Sequence, residues 1–335
     1  MTRETLHIRA PEFPPGATWL QGGPLSMTEL RGRPVLIDFW DYTCINCIRT
    51  LPYLREWHNR YAPMGLTIVG VHSPEFSFAR QRGNVARAVR EMGIEYAVVL
   101  DNDYQIWQAY TNRYWPAKYL IDKDGYIRFY HFGEGAYAQT EENLQALLLE
   151  ASPGLELPEV MAPVRPEDGP GAVCYRVTPE LYLGYERGRI GNVTDLQADR
   201  PSRYRDAGRH VEGFAYLDGD WLLASESLER PPGSEGRSKL TMRYMAKEAN
   251  LVMHPPPAPP GEVELLQDGN PLSEMAAGPD VQREGGRTFV VVDEPRMYEL
   301  VKNDDIGAHE LTLVTESDGI RLFAFTFVSC MAEAA

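Results

Sequence analysis

Up to about residue 150 the hydrophobic positions alternate between a strand period and a helix period. Val35–Trp40 (VLIDFW) and residues 66–71 (LTIVGV) are short apolar runs rich in β-branched side chains, as strands buried on both faces are. Between them Ile48, Leu51, Leu54, Trp57 and Tyr61 recur at helical spacing, which predicts an amphipathic helix. Pro52 falls inside that helix and should kink it, because it lacks a backbone donor. The pattern continues with a helix over 77–92 closed by Gly93, a strand over 96–100 and a short helix over 104–110. Strands over 118–122 and 126–132 flank Lys123-Asp124-Gly125, favoured hairpin chemistry. Thr140 is the expected cap of a last helix, with Glu141 and Glu142 in its positive first turn.

Residues 152–171 (SPGLELPEVMAPVRPEDGPG) are proline-rich and aperiodic, which marks a linker. Leu155, Leu157, Val160 and Met161 need cover, a reason for it to pack on a neighbouring domain. Beyond it only strand signals remain: 211–217, 221–228, 239–253, 263–266, 288–292, 297–301, 311–315 and 320–328, the last two around Ser317-Asp318-Gly319. Such a set without ordinary helices predicts a β-sandwich or jelly roll. A chain of 335 residues suits two domains at roughly 150 residues each.

Composition narrows the function. The 33 basic and 48 acidic side chains leave a formal charge of −15. That excludes a nucleic-acid binder that works by neutralising phosphates, and disfavours an anionic membrane surface. With 43% apolar residues there is material for two cores. No apolar run approaches the ~18 residues of a membrane span. The opening MTRETLHIRAPEFPPG lacks the apolar stretch of a signal peptide. As it stands the sequence points to the cytoplasm; removal of a leader would leave the same residues in an extracytoplasmic protein.

Four cysteines are too few for a disulfide scaffold, but Cys44-Ile45-Asn46-Cys47 stands where a buried strand gives way to a helix. At a helix start, unpaired N–H groups and the macrodipole favour a thiolate, the nucleophile of thiol–disulfide exchange. Cys44 would attack a disulfide and Cys47 would resolve the mixed disulfide, with no cofactor beyond this redox-active pair. The alternatives are half a zinc site or two inert thiols; zinc would want a second CxxC or a His pair. Cys174 and Cys330 stand alone in the β-rich part; they would meet if the first and last strands pair, but two separate thiols are expected, because disulfide geometry is demanding. Asp38 interrupts VLIDFW, where an acid without a task is costly. Beneath a CxxC its raised pKa would let it relay a proton near neutrality. The plainer alternative is an edge-facing Asp satisfied by water.

On these residues, 24–150 resemble the thioredoxin-fold domains of the TlpA/ResA-like family, with VLIDFWDYTCINC as the signature. The resemblance implies site roles position by position. Asp38, six residues before Cys44, matches the buried acid that handles the resolving cysteine's proton. Pro52 matches the proline that kinks the active-site helix, and Trp115-Pro116-Ala117 matches the cis-proline loop facing the CxxC. Glu75 in IVGVHSPE matches an acid near the active site, although Pro74-Glu75 would also serve as a cap of the next helix. Residues 77–100 lie where ResA-like members carry their insert. His72 and His131 are read as structural.

The Ile-Asn between the cysteines departs from the Gly-Pro and Glu-Pro of many relatives. That version, with TPELYLGYERGRIGN (178–192) and VDEPRMYELV (292–301), resembles the C-terminal part of DipZ proteins over nearly the whole chain. In DipZ proteins this part follows a membrane-embedded electron-relay domain related to CcdA and works outside the cytoplasm. The resemblance implies disulfide-bearing protein substrates and an upstream reductant, either a CcdA-like membrane protein or a thioredoxin system. It also implies a β-domain like carbohydrate-binding modules, in which Tyr182, Tyr185 and Trp221 are candidates to stack on a glycan; core packing is the alternative.

The expected architecture is therefore an α/β thioredoxin fold (1–151), a Pro-rich linker (152–171) and an all-β jelly-roll or β-sandwich domain (172–335). The expected function is reduction of protein disulfides, with the β-domain recognising substrate or partner. One rival is a thiol peroxidase of the peroxiredoxin type. Thr43 adjoins Cys44, but Ile37 stands where that motif requires proline. The other is a non-enzymatic binding module with a vestigial redox domain, against which the intact Cys44, Cys47, Asp38 and Pro116 argue.

Overall fold

Every residue of Val35–Trp40 is buried, as a strand covered on both faces requires. In the computed structural model, which describes residues 8–193 and 196–331, it belongs to a six-stranded mixed sheet. The strands are β1 (Thr18–Gln21), β2 (Val35–Trp40), β3 (Thr67–His72), β4 (Ala97–Leu100), β5 (Ala117–Ile121) and β6 (Ile127–Phe132). Their spatial order is β1-β4-β3-β2-β5-β6, with β2, β3 and β4 parallel and the other pairs antiparallel. Helices α1 (Ile45–Tyr61), α2 (Arg82–Glu91), α3 (Gln105–Ala109) and α4 (Tyr137–Ala151) connect or follow the strands. This is the thioredoxin fold. On one sheet face Val35, Ile37, Phe39, Val69, Val71 and Val99 pack with Ile106, Tyr110 and Tyr119. Strand alternation turns Leu36, Asp38 and Trp40 to the opposite face.

Two local expectations need correction. The helix over 77–92 is broken: a 3₁₀ turn, Ser77–Arg80, is separated from α2 by extended Gln81. Gly93, at φ +63, does end the second piece. Thr140 does not cap α4. The cap position is Ala136, and Thr140 lies in the first turn with its hydroxyl donating back to Ala136 O at 2.7 Å.

The chain divides into two units between Gly171 and Ala172, so the proline-rich segment belongs to the first. Its backbone and its side chains both fasten it there: Tyr53 Oη donates to Asp168 Oδ2 at 2.8 Å, and Arg165 contacts Glu134. Val164 N–H donates to Tyr53 Oη (2.7 Å), Met161 N–H to buried Glu141 (2.9 Å), and Pro158 O accepts from Gln145 (2.8 Å).

The second unit is all-β. Among the described residues its strands form one eleven-stranded antiparallel sheet and a two-stranded ribbon. Two long strands, Ser238–His254 and Arg296–Thr315, pair along most of their length, with register shifts between Ala246 and Asn250. On its other edge Ser238–His254 changes partner there, from Ala215–Leu223 to Arg321–Val328. Bulges at such a point turn a corner. Arg296–Thr315 runs through what was expected to be a loop between 297–301 and 311–315. Likewise 211–217 and 221–228 are replaced by one strand, Ala215–Leu223. It crosses Gly219 at φ +87 and there exchanges one ladder for another. In both cases polar residues looked like turns: the first strand bulges between Lys302 and Gly307 while both flanks stay paired, and the second passes from one partner to another at Gly219.

Candidate active site

β2 ends at Trp40, and Asp41-Tyr42-Thr43 turns the chain into α1. Asp41 shapes that turn. Its buried Oδ1 accepts the Thr43 amide and hydroxyl, each at 2.7 Å, and its carbonyl accepts the Cys44 amide at 3.2 Å. Cys44 is thereby placed at the N-cap of α1, half-buried, with its sulfur accepting the Cys47 amide at 3.3 Å. Cys47 is one turn in and 1% exposed. Burial, with Cys44 beside it, pushes the Cys47 thiol well above its ordinary range. The two free thiols are thus unequal: one reachable and solvated by a helix terminus, one protected.

Asp38 lies on β2, in register with Gly70 of β3 and Lys118 of β5. It is 1% exposed, and among the described residues Oδ1 accepts no hydrogen bond. Burial raises its pKa to about 7, against the opposing pull of Lys118. Its charge in turn adds to the upward shift of Cys47. A carboxyl poised near neutrality within electrostatic reach of a protonated thiol is equipped to take its proton.

The Trp115–Pro116 peptide is cis, and Pro116 is buried. Ala117 pairs with Phe39, so Pro116 stands level with the end of β2 from which the Cys44 turn departs. Trp115 Nε1 donates to Ser73 O at 3.0 Å, which binds this loop to the one after β3. Glu75, in that same loop, is half-buried and donates its amide to Asp41 Oδ2 at 2.6 Å. The cap position of the following 3₁₀ turn is Phe76, not Glu75. Pro52 sits within α1, which continues through it.

Two participants were missed. Asp41 carries the signal of an Asx turn, an Asp two residues before Thr at a helix start. Lys118 carries the same signal as Asp38, a charge inside an apolar strand. His72 is buried and pulled down to about 3, edge-on to Trp40 and stacked on Tyr42.

The second unit corrects two expectations. Trp221 is 1% exposed and lies in the core, its Nε1 donating to Asp218 O and Lys239 O, so it offers no face to a sugar. Tyr182 is half-buried with the Arg187 guanidinium 3.7 Å above its ring; Tyr185 is exposed and bonded to Asp199. Cys174 and Cys330 are not separate thiols. They form a disulfide, because the strands Val173–Cys174 and Cys330–Met331 pair directly and bring the Cα atoms within 4.0 Å.

A CxxC at the start of the helix that follows the central strand, above a buried acid and beside a cis-proline, defines a thiol–disulfide oxidoreductase of the thioredoxin superfamily. Comparison with known proteins agrees. Residues 9–130 match the AhpC/TSA family, and residues 178–327 match the family described as thioredoxin like C-terminal domain. The thiol-disulfide oxidoreductase ResA of Bacillus thuringiensis is 30% identical over 144 residues, 43% of this chain and 77% of that protein. The thiol-disulfide oxidoreductase YkuV of Bacillus subtilis is 28% identical over 140 residues, 42% of this chain and 94% of that protein. The chain belongs to the ResA-like family of thiol-disulfide oxidoreductases. Its likeness to the protein DipZ of Mycobacterium tuberculosis is longer, 34% identity over 331 residues and 95% of this chain. The chain spans 42% of the length of that relative.

Proposed function

We propose that this oxidoreductase works as a reductase of disulfides in client proteins. The observation that carries the reading is the inequality of the two thiols: Cys44 half-buried at the helix terminus, Cys47 buried and protonated within reach of Asp38. Cys44 attacks one client sulfur, forming a mixed disulfide and releasing the other as a thiolate. Cys47 gives its proton to Asp38 and attacks Cys44 Sγ; the client sulfur bonded to Cys44 leaves as a thiolate, and the Cys44–Cys47 disulfide closes. Two electrons pass to the client, and an upstream dithiol restores them. Pro116 and Glu75 line this site as positioning residues, and the β-unit recognises client or partner.

The Cys174–Cys330 disulfide supports work in an oxidising compartment, where such bonds persist, and hence supply of electrons by a CcdA-like membrane protein rather than a thioredoxin system. No helix among the described residues is long and apolar enough to cross a membrane.

Cys47→Ser tests the scheme in the full chain. It should strand clients as adducts that dithiothreitol releases, while Cys44→Ser should abolish both adducts and turnover. Absence of any reductant-sensitive adduct would overturn a protein-disulfide substrate. Peroxide consumption by the wild type would then favour the peroxidase, although the Thr43 hydroxyl is already committed to Asp41.

A further inference from the structure

We propose that the outer edge of β6 seats an extended, apolar segment of the client, which adds to the sheet as a further strand beside the active site. The inference rests on the reductase reading above. β6 closes the sheet at one end. At its start, Ile8 O accepts the Ile127 amide at 2.8 Å and Arg9 bridges Tyr126 in antiparallel sense, so this edge does accept a strand. Nothing among the described residues pairs with the outer edge from 128 to 132.

Backbone and side chains coincide on that stretch. The Gly133 amide donates to Pro116 O at 2.8 Å, and the alternation of an antiparallel pair then turns the backbone groups of Phe132 and Tyr130 away from β5. The rings of the same two residues stand in solvent, 41% and 58% exposed, together with Tyr114 at 54%. They form one patch, with 5.3 Å between the ring centres of Tyr114 and Phe132 and 5.1 Å between those of Phe132 and Tyr130. Edge strands are ordinarily blunted by charge, proline or a bulge. β6 has a charge and a bulge at Arg128, where its register on β5 shifts. Beyond that point Phe129-Tyr130-His131-Phe132 carries no fixed charge and no proline. An exposed aromatic patch on an open edge marks an interaction surface, and it fits strand addition, in which main-chain bonds hold a segment and alternate side chains select it.

The place of the patch identifies its occupant. Phe132 is the register partner of Ala117, which pairs with Phe39 near the end of β2, and Tyr114 directly precedes Trp115–Pro116. The patch is therefore continuous with the cis-proline loop and the seat of the client disulfide at Cys44. β6 runs toward the active site, so a strand added in the antiparallel sense that Arg9 already takes runs away from it. The segment therefore follows the reactive cysteine in the client sequence. Residues 129–132 span about 10 Å and engage about four of its residues.

The test uses the full chain carrying Cys47→Ser, which stops at the mixed disulfide. Three synthetic peptides each present one cysteine activated as an aromatic disulfide. After a short glycine spacer the first continues with alternating valine and phenylalanine, the second with glycine and serine. The third repeats the first with alternate backbone nitrogens methylated, which blocks strand addition. Rates of adduct formation are referred to that of a small aromatic disulfide, which has no segment to dock. Below saturation the first peptide should react about tenfold faster than the other two, the scale of one or two cross-strand aromatic pairs. Tyr130→Thr with Phe132→Thr should abolish that advantage. If the double variant does not fold, Tyr130→Thr alone, at the most exposed of the three rings, carries the test. Equal rates for the three peptides, or an advantage that survives the substitutions, would overturn the docking proposal and leave the reductase reading standing. Absence of an adduct with every peptide would overturn both. Concentration-dependent dimerisation that the double variant abolishes, seen by sedimentation, would assign this edge to a second copy and overturn the client assignment.

Discussion

Asp41 and Glu75 are joined across two loops: Asp41 Oδ2 accepts the Glu75 amide at 2.6 Å while Oδ1 holds both the amide and the hydroxyl of Thr43. One fully buried carboxylate thus fixes the turn that presents Cys44 and the loop that Trp115 also grips through Ser73. The CxxC turn, the loop after β3 and the cis-proline loop are consequently one connected unit.

Asp41→Ala should strand two buried donors of Thr43 and the half-buried Glu75 amide, at about 1–3 kcal/mol for each buried one left unsatisfied. The first unit should unfold at lower temperature, and Cys44 should react more slowly with an aromatic disulfide. Asp41→Asn keeps an oxygen for Thr43 but can turn an NH₂ toward the Glu75 amide, so it should fall between. Identical melting of wild type and Asp41→Ala would show that the bonds contribute nothing.

Asp38 makes a prediction about stability as well as rate. Its pKa of about 7 lies above the unfolded value, so the folded state binds its proton more tightly than the unfolded chain does. The stability this confers is present at low pH and is lost as pH rises from about 4 to about 7. Asp38→Asn cannot lose it. Relative to wild type the variant should gain a few kcal/mol over that interval, an order-of-magnitude figure at about 1.36 kcal/mol for each pH unit that separates the folded and unfolded values. Lys118, left without its counter-charge, offsets part of the absolute value but not the pH trend. Urea denaturation at several pH values measures the difference, and a flat difference would mean that Asp38 is not a buried acid. Greater stability with slower resolution would mark a residue kept for chemistry.

Much of this was legible in the sequence because the signals were local. Continuous burial wrote β2 as VLIDFW, and helical spacing wrote α1 around Leu51, Leu54 and Trp57. Cys44, Cys47 and Asp38 were legible because thiols at that spacing, and an acid in an apolar strand, are costly or purposeless elsewhere. What escaped depends on contacts between distant segments. The Cys174–Cys330 bond joins residues 156 apart, and only the pairing of two short strands brings them together. Trp221 reads the same in sequence whether it faces a sugar or a core. The polar stretch inside Arg296–Thr315 has loop composition, and it lies at a register shift between Lys302 and Gly307, the two points where the strand pairs with Ser238–His254 on either side.

His210 couples a loop of the second unit to that long strand. Its ring nitrogens lie 2.8 Å from Glu310 and 2.8 Å from Asp206. Burial lowers its pKa, but the two carboxylates more than reverse this, and the net value lies above the ordinary one. The stabilisation is therefore complete below about pH 6.5 and is lost as pH rises through the raised value. The urea midpoint of the second unit should fall as pH rises above about 6.5. His210→Gln should remove that component, and an unchanged pH dependence in the variant would show that the bonds are idle.

The last prediction separates the two cysteine pairs by what each must do. Cys44 and Cys47 are free thiols in the first unit, and in the proposed cycle they open and close, so the stability of the second unit should not depend on them. Cys174 and Cys330 close a loop of 156 residues between the first and last strands of the second unit. Cross-linking a loop of that size restricts the unfolded chain, and its loss is expected to cost about 2–5 kcal/mol. Cys174→Ala with Cys330→Ala should lower the unfolding free energy of the second unit by that amount, and dithiothreitol should do the same to the wild type but nothing further to the variant. Cys44→Ser with Cys47→Ser should leave it unchanged. Disulfide reduction by the Cys174→Ala, Cys330→Ala variant should persist wherever the chain is folded, since its redox pair lies in the other unit. Loss of turnover in that variant while both units remain folded would mean that electrons pass through the second disulfide as well, and that the division between a working pair and a structural pair is wrong.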